Sequence, residues 1–539
     1  MKIPSDPVER GNFYQDLILK CMNTAEQRRG EYATLRHYFL FGRSPEEEET
    51  PYNKIYPHID LLTAFLFASE TTRFGIHLPP SAADHHYAQV TPLNKAVNDA
   101  WLMSNGDHVF GQCITWALVY NTMTFKLNVR TSGGECEINP FPVDPGSFGV
   151  LREDLPYNDR QEAMCHSFAT TESQLAIDLD KHPNKNDILA SIAAQREVNQ
   201  DAMPNGAERL IIQSVNASMT GNVNIPLTAS SDYLPRVSEP LIRMNELWLW
   251  DDDEADYRVV TQVENGATVF DRKNFFLKGE VPFVQVCPNP MYSYYWGMSE
   301  VAGLVGLQKW RNERVMQIKD LMDRQVKPPT AVTGWSGILD EVNFAMNRAG
   351  GLMTTDSMQA KVEQFDPKIP EDIFALIHEI DGMFAERSGL QNIMMGKGES
   401  GVRSGKQTSE LARLASARIK KRSLIIEDCL EKVATLYLKC LKKYSTSDYL
   451  DDTGKVFIAD QFSDTFVVKV DGHSNSPLFS EDSKSLAVEL LEAGAIDRST
   501  LIEMLDPPMK EILLRRFKIL EKKQELQKQQ ENQLQSKEK

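Results

Sequence analysis

Lys397, Arg403 and Lys406 sit in the run Gly396-Lys397-Gly398-Glu399-Ser400-Gly401-Val402-Arg403-Ser404-Gly405-Lys406-Gln407-Thr408. Glycines bracket the charges, which gives the backbone reach and freedom. Cations on such a segment can touch phosphates without building a rigid site. Residues 397–422 hold eight basic side chains (Lys397, Arg403, Lys406, Arg413, Arg418, Lys420, Lys421, Arg422) against two acids, Glu399 and Glu410. The chain as a whole carries a net charge of −17, with 76 acidic and 59 basic side chains, so the inversion is local. The plainer reading of the same residues is a solvated surface loop.

A nucleotide-binding reading of this loop fails. The phosphate-cradling motif needs G-x-x-x-x-G-K-[ST] after a strand. With Gly405-Lys406 as its end, Ser400 stands where the first glycine belongs and Gln407 where the metal-binding hydroxyl belongs. A helix is expected before the loop. No H-E-x-x-H, G-x-S-x-G or D-x-D-x-D-G occurs, and no catalytic residue, cofactor site or metal site is expected. Asp251-Asp252-Asp253-Glu254 lacks the calcium-loop pattern and reads as a solvated turn. His85-His86 beside Asp84 cannot all face one ion on a regular element. The seven cysteines (Cys21, Cys113, Cys136, Cys165, Cys287, Cys429, Cys440) show no C-x-x-C pair, and Cys165-His166 lacks a second ligand pair. Scattered reduced thiols suit an intracellular place of assembly. No signal-like or membrane-spanning run is present, so a soluble protein with no membrane partner is expected.

The elements that would position the basic loop follow from periodicity and punctuation. Helices are expected from Asn12 to about Thr72, over Leu93–Tyr120 and over Ser173–Gln195. Arg73–Pro80 reads as a short extended segment. Alternation at Met123, Phe125, Leu127 and Val129 predicts a strand, with a turn at Ser132-Gly133-Gly134 and a second strand through Cys136, Ile138, Phe141 and Val143. A β-rich stretch runs from Val223 to Val286, with a hairpin tipped by Asp251–Glu254. A long helix, Ser299 to Val326, ends at Pro328-Pro329. Its length is about 42 Å at 1.5 Å per residue. It carries the apolar stripe Leu304, Leu307, Val315, Ile318, Met322 and Val326. Lys309, Arg311, Arg314, Lys319, Arg324 and Lys327 decorate the rest. Short β-prone pieces at 330–333, 351–354 and 361–365 form a small αβ insertion. A second helix occupies 370–389, the basic loop follows, and a very long helix spans Ser409–Tyr444. Beyond it come strands near 456–458 and 465–470, helices at 482–493, 499–504 and 509–520, and a Lys/Gln/Glu-rich end. The fold class is α+β, mainly helical.

This order of long helix, αβ insertion, helix, flexible loop and very long helix resembles the portal family of tailed bacteriophages over nearly the whole chain. Tyr295-Trp296-Gly297-Met298-Ser299-Glu300 leading to Gln308, Arg311 and Asn312 resembles the start of that family's first stem helix. The resemblance implies a wing over 1–290, a first stem helix over 291–327, a clip over 328–369 and a second stem helix over 370–389. It further implies a tunnel loop at 390–408, a long wing helix at 409–445, a wing-to-crown connection at 446–505 and a crown helix and tail at 506–539. A non-enzymatic ring, a dodecamer in the family, follows, at the capsid vertex of the virion and assembled in the host cytoplasm. Double-stranded DNA would pass through it. Its partners would be the terminase large subunit, tail adaptors, and the major capsid and scaffolding proteins. Lys397, Arg403 and Lys406 would meet DNA in the tunnel, the stem cations would lie near it, and Trp335, Arg348 and Lys361 would contact the motor or adaptors. The rivals are another head-tail adaptor or scaffold-like protein, and a DNA-packaging enzyme. An acidic balance argues against an ordinary nucleic-acid reader, which needs a broad basic surface.

Overall fold

The computed structural model describes residues 1–47, 52–67, 72–77, 87–132, 134–158, 161–180, 241–263, 266–326, 330–334, 361–364, 372–388, 417–446, 448–450, 456–458, 466–470 and 487–505, with isolated residues between them. Two helices open the chain, α1 (Pro7–Cys21) and α2 (Ala25–Phe41). Asp6 caps α1, its carboxylate accepting from the backbone N–H of Val8 and Glu9. Then come α3 (Ile55–Leu66), β1 (Phe74–His77), α4 (Tyr87–Met103) and α5 (Gly106–Tyr120). The single helix expected over Leu93–Tyr120 is therefore two. Asn105 takes the left-handed conformation (φ 51°) and breaks it. Gly106 then lies so close to the Trp101 ring that a β-carbon there would come within 2.3 Å of it. The chain can turn there only without a side chain.

Two sheets follow. The first has the order β3-β2-β9, with β2 (Met123–Ser132) pairing β3 (Glu135–Val143) on one side and β9 (Phe283–Val286) on the other. The second is antiparallel with the order β4-β5-β6-β7-β8, over Phe148–Val150, Ala163–Thr171, Leu241–Asp251, Asp256–Val263 and Thr268–Lys273. Its β6–β7 hairpin carries the acidic tip, where Lys273 pairs with Glu254 at 2.8 Å. The helix expected from Ser173 to Gln195 is interrupted: α6 (Glu172–Asp178) ends at Leu179, and helical backbone returns at 185–186 and 188–190. Leu179 leaves it to pack with Leu175, Ile188 and Ile242 beneath the sheet. Residues 191–240 lie outside the described part.

The second half contains α7 (Glu300–Val326), β10 (Thr330–Thr333), β11 (Lys361–Gln364), α8 (Asp372–Ser388) and α9 (Ala417–Tyr444). The end of the described chain holds β12 (Asp448–Leu450), β13 (Val456–Ile458), β14 (Val467–Val470) and α10 (Arg498–Leu505). Strand β14 returns to pair with β1. Among the described residues helix outweighs strand, 52% to 23%, so the fold is α+β. The main core joins α2–α5, the β3-β2-β9 sheet, the start of α7 and the inner face of α9. At its centre Trp101 packs edge-on against Phe74, Phe110 and Tyr437. Aromatic rings in such arrangements add to what their buried area contributes.

Candidate functional site

The run before α7 is built to fix where that helix starts. Tyr295 and Trp296 are fully buried. The Trp296 indole N–H donates to Glu153 Oε1 at 2.8 Å, and the Arg28 guanidinium stacks 3.7 Å above its ring while pairing with the same carboxylate at 2.7 Å. Gly297 has φ 67°, and a β-carbon there would strike Cys287 Sγ and the Asn289 carbonyl. Ser299 Oγ donates to the Val119 carbonyl at 2.6 Å and accepts from the Ala302 N–H at 3.1 Å, closing the first turn of α7.

Two amides hold the middle of α7. Gln308 accepts from the Lys54 N–H and donates to the Tyr52 carbonyl, both at 3.0 Å. Asn312 donates to the Gly42 carbonyl at 2.8 Å. Both side chains are buried, so their register with the loop between α2 and α3 is set by bonds that a shifted helix would leave unmade. Helix α8 lies alongside and runs antiparallel. The Arg387 guanidinium sits against Gly303, and eight residues on Arg311 Nε meets Asp381 Oδ1 at 2.9 Å. Lys54 Nζ reaches the other Asp381 oxygen at 3.0 Å. One carboxylate thus joins α7, α8 and the loop before α3.

Beyond this clamp the pair leaves the core. The stripe Val301, Leu304, Gln308, Asn312 and Ile318 is buried, but its last turns are bare: Met322 is 53% and Val326 79% exposed, and Phe374 on α8 is 50% exposed. At the far end β10 and β11 pair antiparallel, Thr330 opposite Gln364 and Thr333 opposite Lys361.

The expected site residues fall as follows. Lys309 and Lys319 are exposed on α7. Arg324 is exposed and pairs with Asp320 one turn back at 2.9 Å. Arg314 is half-buried and donates to Gln317 at 2.6 Å. Arg311 is only 11% exposed and serves the Asp381 clamp. Lys361 is exposed on β11 and pairs with Glu363. Lys327, Trp335, Arg348, Lys397, Arg403 and Lys406 lie outside the described residues, as do His85 and His86.

Chemistry that sequence reading missed lies between the two sheets. Lys126 Nζ donates to both oxygens of Glu246, at 3.0 and 2.8 Å, and lies 3.3 Å from His166 Nδ1. The Trp248 indole N–H completes the carboxylate at 2.6 Å. Burial, then the Lys126 charge, holds the His166 imidazole well below its ordinary pKa. A cavity of about 290 Å³ adjoins the pair, walled by Phe275, Phe276 and Tyr444. The pair is stapled shut by its own hydrogen bonds. Burial also pushes the Cys21 and Cys287 thiols up to about 12 and those of Cys136 and Cys429 to about 11, so none is a ready nucleophile. Among the described residues no group of three His, Cys, Asp or Glu is placed to hold a metal ion, and no helix is long and apolar enough to cross a membrane.

No curated protein matches the sequence. A family model does: that of the phage SU10 portal protein, over residues 87–453, which takes in both sheets, the α7–α8 pair and α9.

Proposed function

The chain belongs to the tailed-phage portal family, and on that premise we propose that it forms the ring at the capsid vertex through which double-stranded DNA is packaged and ejected. The carrying observation is the α7–α8 pair, whose apolar stripe is buried at the core and bare beyond it. In a closed ring, a heterologous contact repeated by rotation gives every copy a neighbour to cover that stripe. Its role is structural, not catalytic, as in the family.

In this reading α7 and α8 are the stem, the segment around β10 and β11 is the clip, and 390–408 is the tunnel loop. Residues 1–290 and 409–445 make the wing, 446–505 connect it to the crown, and 506–539 make the crown helix and tail. The terminase large subunit and later the tail adaptors dock on the clip, through Trp335, Arg348 and Lys361. The major capsid and scaffolding proteins surround the wing, and the ring is a dodecamer. Physical chemistry supports a conduit over a binder. Each phosphate that a protein neutralises adds salt-dependent affinity, and a sliding polymer must not be held. A wall with the chain's net charge of −17 repels the duplex. Rotational symmetry turns one trio, Lys397, Arg403 and Lys406, into a collar of weak contacts. On the stem, Lys309 and Lys319 are the exposed candidates for DNA, and Arg311 is the structural one.

Electron microscopy of the purified full chain tests the proposal. Rings with a central hole are expected, and rods or monomers at assembly concentrations overturn it.

A further inference from the structure

Three helices meet where the first turn of α7 faces α3 and the beginning of α9. Glu300 Oε2 accepts from Arg422 Nη2 at 2.8 Å and more weakly from Asn289 Nδ2 at 3.4 Å. This pair ties the start of α9 to the start of α7. On these three helices four enclosed polar atoms have no hydrogen-bond partner among the described residues: Glu300 Oε1, Arg422 Nη1, Ser423 Oγ on α9 and His58 Nε2 on α3. His58, Glu300 and Ser423 are each more than nine-tenths buried. Polar groups enclosed without partners cost stability, and an additional charge there would cost far more.

We infer that this junction is a proton-operated latch, in which uptake of a proton by His58 frees the first turns of α9 from α3 and α7. The imidazole is the group that can change charge. Burial, and then the Arg422 guanidinium, lower its pKa from 6.5 to about 4. Arg422 is the one charge that acts on it among the described residues. Glu300 on α7 pairs with Arg422. Asp60, on His58's own helix, points to solvent. The closed junction thus holds one cation and one anion, and an imidazolium would be a second cation beside Arg422.

The direction of the pH effect follows from linkage. Once the junction opens, His58 meets water and regains its ordinary affinity for a proton. Between the ordinary and the lowered pKa the open form binds more protons than the closed one. The latch is therefore tightest above pH 6.5 and weakens as pH falls below it, by about tenfold in the opening constant per unit, until it levels off near 4.

Hydrogen–deuterium exchange of the full-length protein, corrected for the intrinsic rate at each pH, tests this between pH 7.5 and 5.5. Peptides over 417–426 should open about tenfold more often at the lower pH, while those over 430–441 stay unchanged. In His58→Gln the 417–426 response should be flat. An unresponsive wild type, or equal responses in wild type and variant, overturns the latch. Should His58→Gln fail to fold, imidazole C2 exchange on the wild type reads the His58 titration directly. A midpoint well below 6.5 supports the latch, and one near 6.5 overturns it.

Discussion

Helices α7 and α9 are nearly equal in length, at 27 and 28 residues, and both carry an apolar stripe at helical spacing, yet they end differently. Along α9 the stripe Ile419, Ile426, Leu430, Val433, Tyr437 and Leu441 is buried from end to end. Along α7 it is buried as far as Ile318 and then emerges, with Met322 and Val326 in the open. Helix α9 is completed by its own chain. The end of α7 is left for something else to cover, which in the proposed ring is the next copy. An amphipathic pattern states that a face will be covered, and only the surrounding structure states by what.

The largest expected effect comes from breaking the finished helix. Leu430→Ala leaves a cavity in a core with little room to collapse, and should cost about 2–5 kcal/mol in chemical denaturation of the chain. A loss below the smallest of these values would place α9 outside the core. Truncation of the unfinished helix separates the two cases. Met322→Ala together with Val326→Ala should change stability of the dissociated chain by no more than about 0.5 kcal/mol. Sedimentation at matched concentration should nonetheless show fewer rings. Rings that persist unchanged would mean that the bare stripe is not a subunit contact. The smallest structural effect belongs to the basic run proposed as the tunnel loop. Replacing Lys397, Arg403 and Lys406 by Gln should leave both stability and ring formation as they are. Particles assembled with that variant should hold less DNA, and an equal DNA content would remove these side chains from the channel.

Much of this contrast was legible in the residues. The proline pair after Val326, and the proline and acids before Ile373, set the ends of α7 and α8 to within two residues. The hairpin tipped by Asp251–Glu254 and the strands at 330–333 and 361–364 also fall where turn chemistry put them. What local pattern could not give was long-range pairing. Lys126 reads as the solvent-facing position of an alternating strand, and its partner Glu246 lies 120 residues away. Nothing near either one signals that two sheets would close over them. Arg311 had the same ambiguity: a cation on a helix reads as exposed until Asp381 is found opposite, 70 residues on. The break at Asn105 lies in Ser104-Asn105-Gly106-Asp107, a turn signal that the helical periodicity on either side outweighed, and the packing of Trp101 against Gly106 fixes it.

The amides of Gln308 and Asn312 carry a mechanical consequence. They moor α7 near its midpoint to carbonyls at Tyr52 and Gly42, and past that mooring about 21 Å of helix remains at 1.5 Å per residue. A sideways load at the tip acts on this arm as on a lever, with the fulcrum at Asn312. The bonds it would strain first are those to residues 42–54, so whatever pushes on the far end is felt at the loop between α2 and α3 before it reaches the core.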